Sequence, residues 1–147
     1  MLVEELMTTD VVTCDESGTL RAAVGKLLEH GVGSVILVSE EGNPTGIITE
    51  TDALRAAYRT DRPLSEIGAG ELSHGAVITA SPEETIQHVS RRMAREGVKK
   101  VPVMDGVELL GIITLTDIVW HLSDIRSEAA EIAEMGSEWG PKSQPRS

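Results

Sequence analysis

Gly46-Ile47-Ile48-Thr49-Glu50-Thr51-Asp52 returns 65 residues later as Gly111-Ile112-Ile113-Thr114-Leu115-Thr116-Asp117, with six of the seven positions identical. Self-similarity of this kind marks a repeat architecture, and it decides how the rest of the chain is read. Upstream the offset is 66: Glu5-Leu6 answers Glu71-Leu72, Thr13 answers Thr79, Thr19-Leu20 answers Thr85-Ile86, and Gly31-Val32 answers Gly97-Val98. The one-residue change falls where Glu40-Glu41-Gly42-Asn43-Pro44 gives way to Asp105-Gly106, and hairpin turns accept such a change.

Each copy carries the same order of signals. A short extended segment (Val11 to Thr13; Ala76 to Thr79) leads into a helix with Leu20, Val24, Leu27 and Leu28, or Ile86, Val89 and Met93, at helical spacing. Gly31 and Gly97 end those helices. Two β-branched runs around a turn then read as a hairpin, Ser34 to Ser39 with Gly46 to Thr49, and Lys100 to Met104 with Leu109 to Thr114. A second helix starts directly after each threonine. The unit is therefore β-α-β-β-α, in a mixed α/β (α+β) chain. One such unit has a marginal core, so the two copies are expected to pack through their sheets as a pseudo-twofold pair with two clefts. The expected segments are repeat 1 at 3–60, a linker at 61–70, repeat 2 at 71–125, and a helical extension with a loose tail at 126–147.

Composition removes several functions. The 147 residues carry 13 basic and 24 acidic side chains, a formal charge of -11, and only two Trp, one Tyr and no Phe. A nucleic-acid polymer needs a basic footprint and stacking aromatics, so none is expected as a partner. No apolar run approaches a membrane span, and the acidic Met1-Leu2-Val3-Glu4-Glu5 is unlike a basic signal peptide, so a cytoplasmic protein is expected. Cys14 stands alone, and His30, His74, His88 and His121 have no ligand spacing; no metal site and no required cofactor are expected. No nucleophile, base and orienter are grouped, so the chain is not read as an enzyme.

Thr-x-Thr-Asp admits two readings. Thr49 and Asp52 can form a capping box at a helix start. The same carboxylate can instead accept the vicinal hydroxyls of a ribose, while neighbouring hydroxyls and free N–H groups hold phosphate. A cap alone does not require the second hydroxyl, Thr51 or Thr116.

On these residues the chain resembles a tandem CBS-domain protein (the cystathionine β-synthase domain pair, or Bateman module). The doubled Gly-Ile-Ile-Thr-x-Thr-Asp is the most specific match, supported by the Val-x-Thr segments and Gly97-Val98-Lys99-Lys100-Val101-Pro102-Val103. The resemblance implies composite clefts for an adenosine-containing ligand: AMP, ADP or ATP, with S-adenosylmethionine also in range. Cleft 1 would join Thr49, Thr51 and Asp52 with Val77, Ile78, Lys99, Lys100 and Pro102. Cleft 2 would join Thr114, Thr116 and Asp117 with Val11, Val12, Gly33 and Ser34. Lys99-Lys100 holds half of the four lysines, and phosphate is expected at cleft 1. The resemblance also implies a homodimer through the helices carrying Leu54, Tyr58, Ile118, Trp120 and Leu122, and a signal passed to an unknown effector protein. The competing function is a structural dimerisation module that binds nothing.

Overall fold

In repeat 1, Thr19 caps the first long helix, its Oγ1 accepting the Ala22 N–H at 3.2 Å, and Gly31 closes it in the left-handed region at φ 61°. Thr85 and Gly97 do the same in repeat 2, with the His88 N–H at 3.2 Å and φ 67°. The computed structural model describes residues 1–72 and 77–136, with the side chains of 124–128, 130–131 and 134–136 left aside. Its elements are α1 (Val3–Leu6), β1 (Thr13–Asp15), α2 (Leu20–His30), β2 (Ser34–Val38), β3 (Pro44–Thr49), α3 (Glu50–Thr60), α4 (Ile86–Glu96), β4 (Lys100–Asp105), β5 (Glu108–Thr114) and α5 (Leu115–Gly136). The expected Ala76, His74 and residues 137–147 of the tail lie outside the described residues.

Sheet order in repeat 1 is β1-β2-β3, with β1 parallel and β3 antiparallel to β2. Repeat 2 has β4 antiparallel to β5. Among the described residues its expected leading strand is reduced to one parallel bridge, Ala80 to Val103, in the register that Cys14 and Leu37 keep in repeat 1. Ala80 donates to the Pro102 carbonyl at 2.9 Å and accepts from Met104 at 2.8 Å, so the place of the strand is kept although its length is not. Cys14, the counterpart of Ala80, is a buried packing residue.

Two cores form, one per repeat. Leu20, Leu27, Val35, Leu37, Ile48 and Ala53 make the first; Ile86, Val89, Met93, Val101, Val103 and Ile113 make the second. Alternation along β2 and β4 turns Ile36 and Pro102 away from these cores, yet both are almost fully buried. Two sequence expectations fail here. Leu28 is 78% exposed rather than core, and Ile118, read as a dimer contact, belongs to the second core.

The repeats also exchange their leading segments. Val3 of α1 is fully buried in the second core, while Ile67 and Ala69, in the segment expected to be a plain linker, are buried in the first. Matching hydrogen bonds hold both insertions: Leu20 N–H to Ile67 O at 2.7 Å and Ala69 N–H to Gly18 O at 2.9 Å, against Ile86 N–H to Met1 O at 3.0 Å and Val3 N–H to Glu84 O at 2.9 Å. After α1 the chain runs beside β5, bridging Thr8 to Ile112. That approach is why residue 111 is glycine: a Cβ there would stand 2.5 Å from the Thr8 carbonyl oxygen and 3.2 Å from Met7 Sδ.

Gly111→Ala is therefore expected to lose about 1–3 kcal/mol in urea unfolding, because the obstacle is backbone. Gly25→Ala, in mid-α2 with nothing within 4 Å of the added Cβ, is expected to gain about 0.5–1 kcal/mol in the same assay. A second test concerns Arg92, which forks onto both oxygens of Glu84 and donates to the Thr79 carbonyl at 2.8 Å. This hydrogen bonding holds the Glu84 carboxyl below its ordinary value of 4.5. A depressed carboxylate contributes stability that is present above the unfolded-state pKa and lost as pH falls through the folded one. Arg92→Ala should thus destabilise at pH 7 by about 1 kcal/mol, and the difference from the native chain should shrink below pH 4.5 in paired urea melts.

Candidate functional site

The two Thr-x-Thr-Asp turns sit where β3 becomes α3 and β5 becomes α5. Backbone pairing gives each the same surroundings. Ser34 lies opposite Thr49 and Lys100 opposite Thr114. The Glu50 N–H donates to the Gly33 carbonyl at 3.2 Å, and the Leu115 N–H donates to the Lys99 carbonyl at 2.8 Å.

Side chains break the symmetry. At α3 the capping box is closed: Thr49 Oγ1 accepts the Asp52 N–H at 3.2 Å, and Asp52 Oδ2 accepts the Thr49 N–H at 2.9 Å. Asp52 Oδ1 faces the Arg55 guanidinium at 3.7 Å. At α5 only half of the box forms. Thr114 Oγ1 accepts the Asp117 N–H at 3.1 Å, but Asp117 Oδ2 is buried and has no hydrogen-bond partner. Leaving such an acceptor unsatisfied costs about 1–3 kcal/mol, and more for a charge, so a fold that keeps it has an unmet demand for a donor.

Beside this turn lies a concavity of about 420 Å³, lined by Lys99, Lys100, Thr114, Leu115, Thr116, Val119 and Trp120. That volume is within the range of small-molecule pockets. Thr116, Val119 and Trp120 share one face of α5 by their spacing of three and four. Leu115 and Val119 are additions to the expected site, and Trp120, read from sequence as a dimer contact, also lines it. The spacing from Thr116 was the signal that could have found them.

The residues expected to share cleft 1 come from several elements of both repeats. Thr49 and Asp52 meet in their cap and Thr51 is exposed beside them. Ile78 packs against the second core, half-buried Val77 is next to it in sequence, and Pro102 is buried in β4. Lys99 and Lys100 line the concavity at Thr114 and Thr116, the turn expected in cleft 2. The physical reason is the β4–β5 ladder, which fixes Lys100 opposite Thr114. Lys100 nevertheless reaches across the repeats, its Nζ 4.0 Å from where a Cβ on Gly33 would stand. Of the other cleft 2 residues, Val12 packs against the first core and accepts from the Ile36 N–H at 2.9 Å, and half-buried Val11 donates to Thr9 O at 3.0 Å. Gly33 and Ser34 flank the α3 turn, as described above.

Among the described residues no group of three or more His, Cys, Asp or Glu could hold a metal ion, and no helix is long and apolar enough to cross a membrane.

Known proteins resemble this arrangement throughout. The CBS domain pattern matches twice, at residues 3–59 and 69–124. The CBS domain-containing protein YhcV of Bacillus subtilis is 30% identical over 79% of this chain and 81% of its own length. A protein of unknown role from Methanopyrus kandleri is 31% identical over 80% of this chain. The chain spans 60% of that relative and 33% of another from Methanocaldococcus jannaschii. Among solved structures, the CBS domain pair of protein MJ0100 in complex with 5'-methylthioadenosine and S-adenosyl-L-methionine superposes with TM-score 0.73, at 26% identity over 84% of this chain and 97% of that one. The hexameric CBS-CP12 protein from bloom-forming cyanobacteria superposes with TM-score 0.74, at 26% identity over 92% of this chain and 85% of that one. With both halves matched and the pseudo-twofold pair of β-α-β-β-α units in place, this chain belongs to the CBS domain family.

Proposed function

We propose that the chain is a regulatory module that binds an adenosine-containing ligand at its Thr-x-Thr-Asp turns and passes the bound state to a partner through an interface of its own. One observation carries this reading: Asp117 Oδ2 is buried without a hydrogen-bond partner in the strand-to-helix turn whose Thr114 and Thr116 line a concavity together with Lys99, Lys100 and Trp120. Vicinal ribose hydroxyls would supply the missing hydrogen bonds, and an apolar wall of Leu115, Val119 and Trp120 would take the base. The related MJ0100 pair, with its two adenosyl ligands, supports this class of ligand. Candidates are AMP, ADP and ATP, together with S-adenosylmethionine and 5'-methylthioadenosine. No catalytic grouping is assigned. One relative of 29% identity is an L-aspartate semialdehyde sulfurtransferase, and this chain corresponds to 22% of its length.

The interface in this reading is a homodimer. Leu54 and Tyr58 on α3 are 73% and 89% exposed, and Val119 and Leu122 on α5 are about half exposed, which gives apolar surface on both helices. The alternative, a dimerisation module with no ligand, would use the same surface and treat both turns as caps.

A thermal-shift panel separates these readings. An adenosyl ligand at 100 times its dissociation constant should add about 2.7 kcal/mol, and no stabilisation by any of the five would favour the pure dimerisation module. The two aspartates should behave differently. Asp52→Ala breaks a closed capping box and is expected to cost the unliganded chain about 1 kcal/mol. Asp117→Ala removes a buried acceptor oxygen that has no partner, so it should leave the unliganded chain unchanged or more stable while weakening ligand binding by about tenfold or more. Leu54→Glu with Tyr58→Glu should convert the dimer to monomer in light scattering, with the unfolding midpoint of the monomer preserved.

A further inference from the structure

The two repeats share a fold but turn unlike helical faces outward. α2 and α3 cover the first core side by side, and α4 and α5 cover the second. Along these exposed faces, counterpart positions carry complementary residues instead of matching ones. Glu29 on α2 answers Arg95 on α4, and Gly25 answers Arg91, both at the offset of 66. Exposed Leu28 answers exposed Ala94, and exposed Tyr58 on α3 answers exposed Ser123 on α5. Leu54 and Val119, also counterparts, are apolar and exposed in both.

Gly25 is the residue that the fold leaves unexplained. A glycine inside a helix is destabilising relative to alanine, yet a Cβ at Gly25 would meet nothing within 4 Å, and repeat 2 places an arginine at the same point. Its neighbours Ala22, Leu28 and Glu29 line a concavity of about 660 Å³, as do Arg21 and Lys26. α4 is the reverse, with His88, Arg91 and Arg95 exposed at helical spacing on one face. Arg95 meets only the adjacent Glu96, at 3.6 Å, and neither Arg91 nor Glu29 has an ion pair among the described residues. Joining two copies in parallel about a twofold axis would set α4 on α4 and press these cationic stripes together. Head-to-tail joining sets the bulky, cationic helix on the one with a gap and a carboxylate.

From this complementarity we infer that the occupant of the α2–α3 face is the α4–α5 face of a second copy, in a head-to-tail dimer. The inference rests on the homodimer reading above and assigns its orientation. The partner's Arg91 and Arg95 enter the space beside Gly25 and meet Glu29, while Leu54 and Val119 bring apolar surface from opposite repeats. Because the twofold repeats this contact, both faces of each chain are used and association stops at two copies.

Sedimentation velocity and disulfide trapping on the full chain test the orientation. Glu29→Arg and Arg95→Glu should each weaken the dimer by about tenfold or more, and the double substitution should restore it to within about threefold. In a parallel dimer each single substitution replaces one like pair by another and leaves the affinity unchanged. Cys14 is buried, so introduced surface cysteines react alone. A Leu28→Cys chain mixed with an Ala94→Cys chain should form a cross-linked pair that neither forms by itself. A dimer in which Leu28→Cys cross-links to itself, or in which neither charge substitution changes the affinity, would overturn the head-to-tail arrangement and leave the homodimer reading intact. A native chain that stays monomeric at every concentration would remove both.

Discussion

The reciprocal insertion of each repeat's leading segment into the other's core is the constraint on which the rest of the structure depends. Val3 completes the core built by α4, β4 and β5, and Ile67 with Ala69 completes the one built by α2, β2 and β3. Neither repeat therefore owns a full core, and each insertion is locked by hydrogen bonds that have counterparts in the other. A unit of about 60 residues is marginal alone, and exchange makes the stability of each depend on the other. It also fixes the two strand-to-helix turns relative to one another, which a flexible linker would not do. Lys100 is one contact between the repeats, its Nζ close to Gly33.

Upon that frame the same seven-residue motif reaches two different electrostatic states. In repeat 1 the aspartate satisfies itself on its own turn and on Arg55. In repeat 2 Asp117 Oδ2 has no hydrogen-bond partner. The difference does not come from Thr-x-Thr-Asp, which is common to both, but from the residues around it: tryptophan where arginine stands, leucine where glutamate stands, and two lysines where glycine and serine stand. One copy of the motif spends its carboxylate on the helix start, and the other leaves Asp117 Oδ2 buried without a partner.

Much of this was legible in the residues themselves. A repeat offset of 65 to 66 residues identified the unit, its element order and its pairing, and glycines at 31 and 97 located the helix ends where the left-handed caps occur. What the pattern could not show was long-range. Val3 and Ile67 look like any apolar residue before a turn, and only the closed fold reveals that each serves the opposite core. Leu28 continues a helical stripe in sequence, yet α2 turns it to solvent, because a stripe of three buried positions was enough. The pairing of Lys100 opposite Thr114 was not legible for a related reason: residue identity shows a cation but not which turn the β4–β5 ladder brings beside it.

The central claim is that the α5 turn is a recognition element and not only a helix cap. A crystal structure of the chain with 5'-methylthioadenosine tests it most directly, through the environment of one atom. The account predicts ribose hydroxyls within hydrogen-bond distance of Asp117 Oδ2, with the base against Val119 and Trp120. A ligand seated elsewhere, with Asp117 Oδ2 satisfied by the Thr114 N–H as Asp52 is by Thr49, would contradict it.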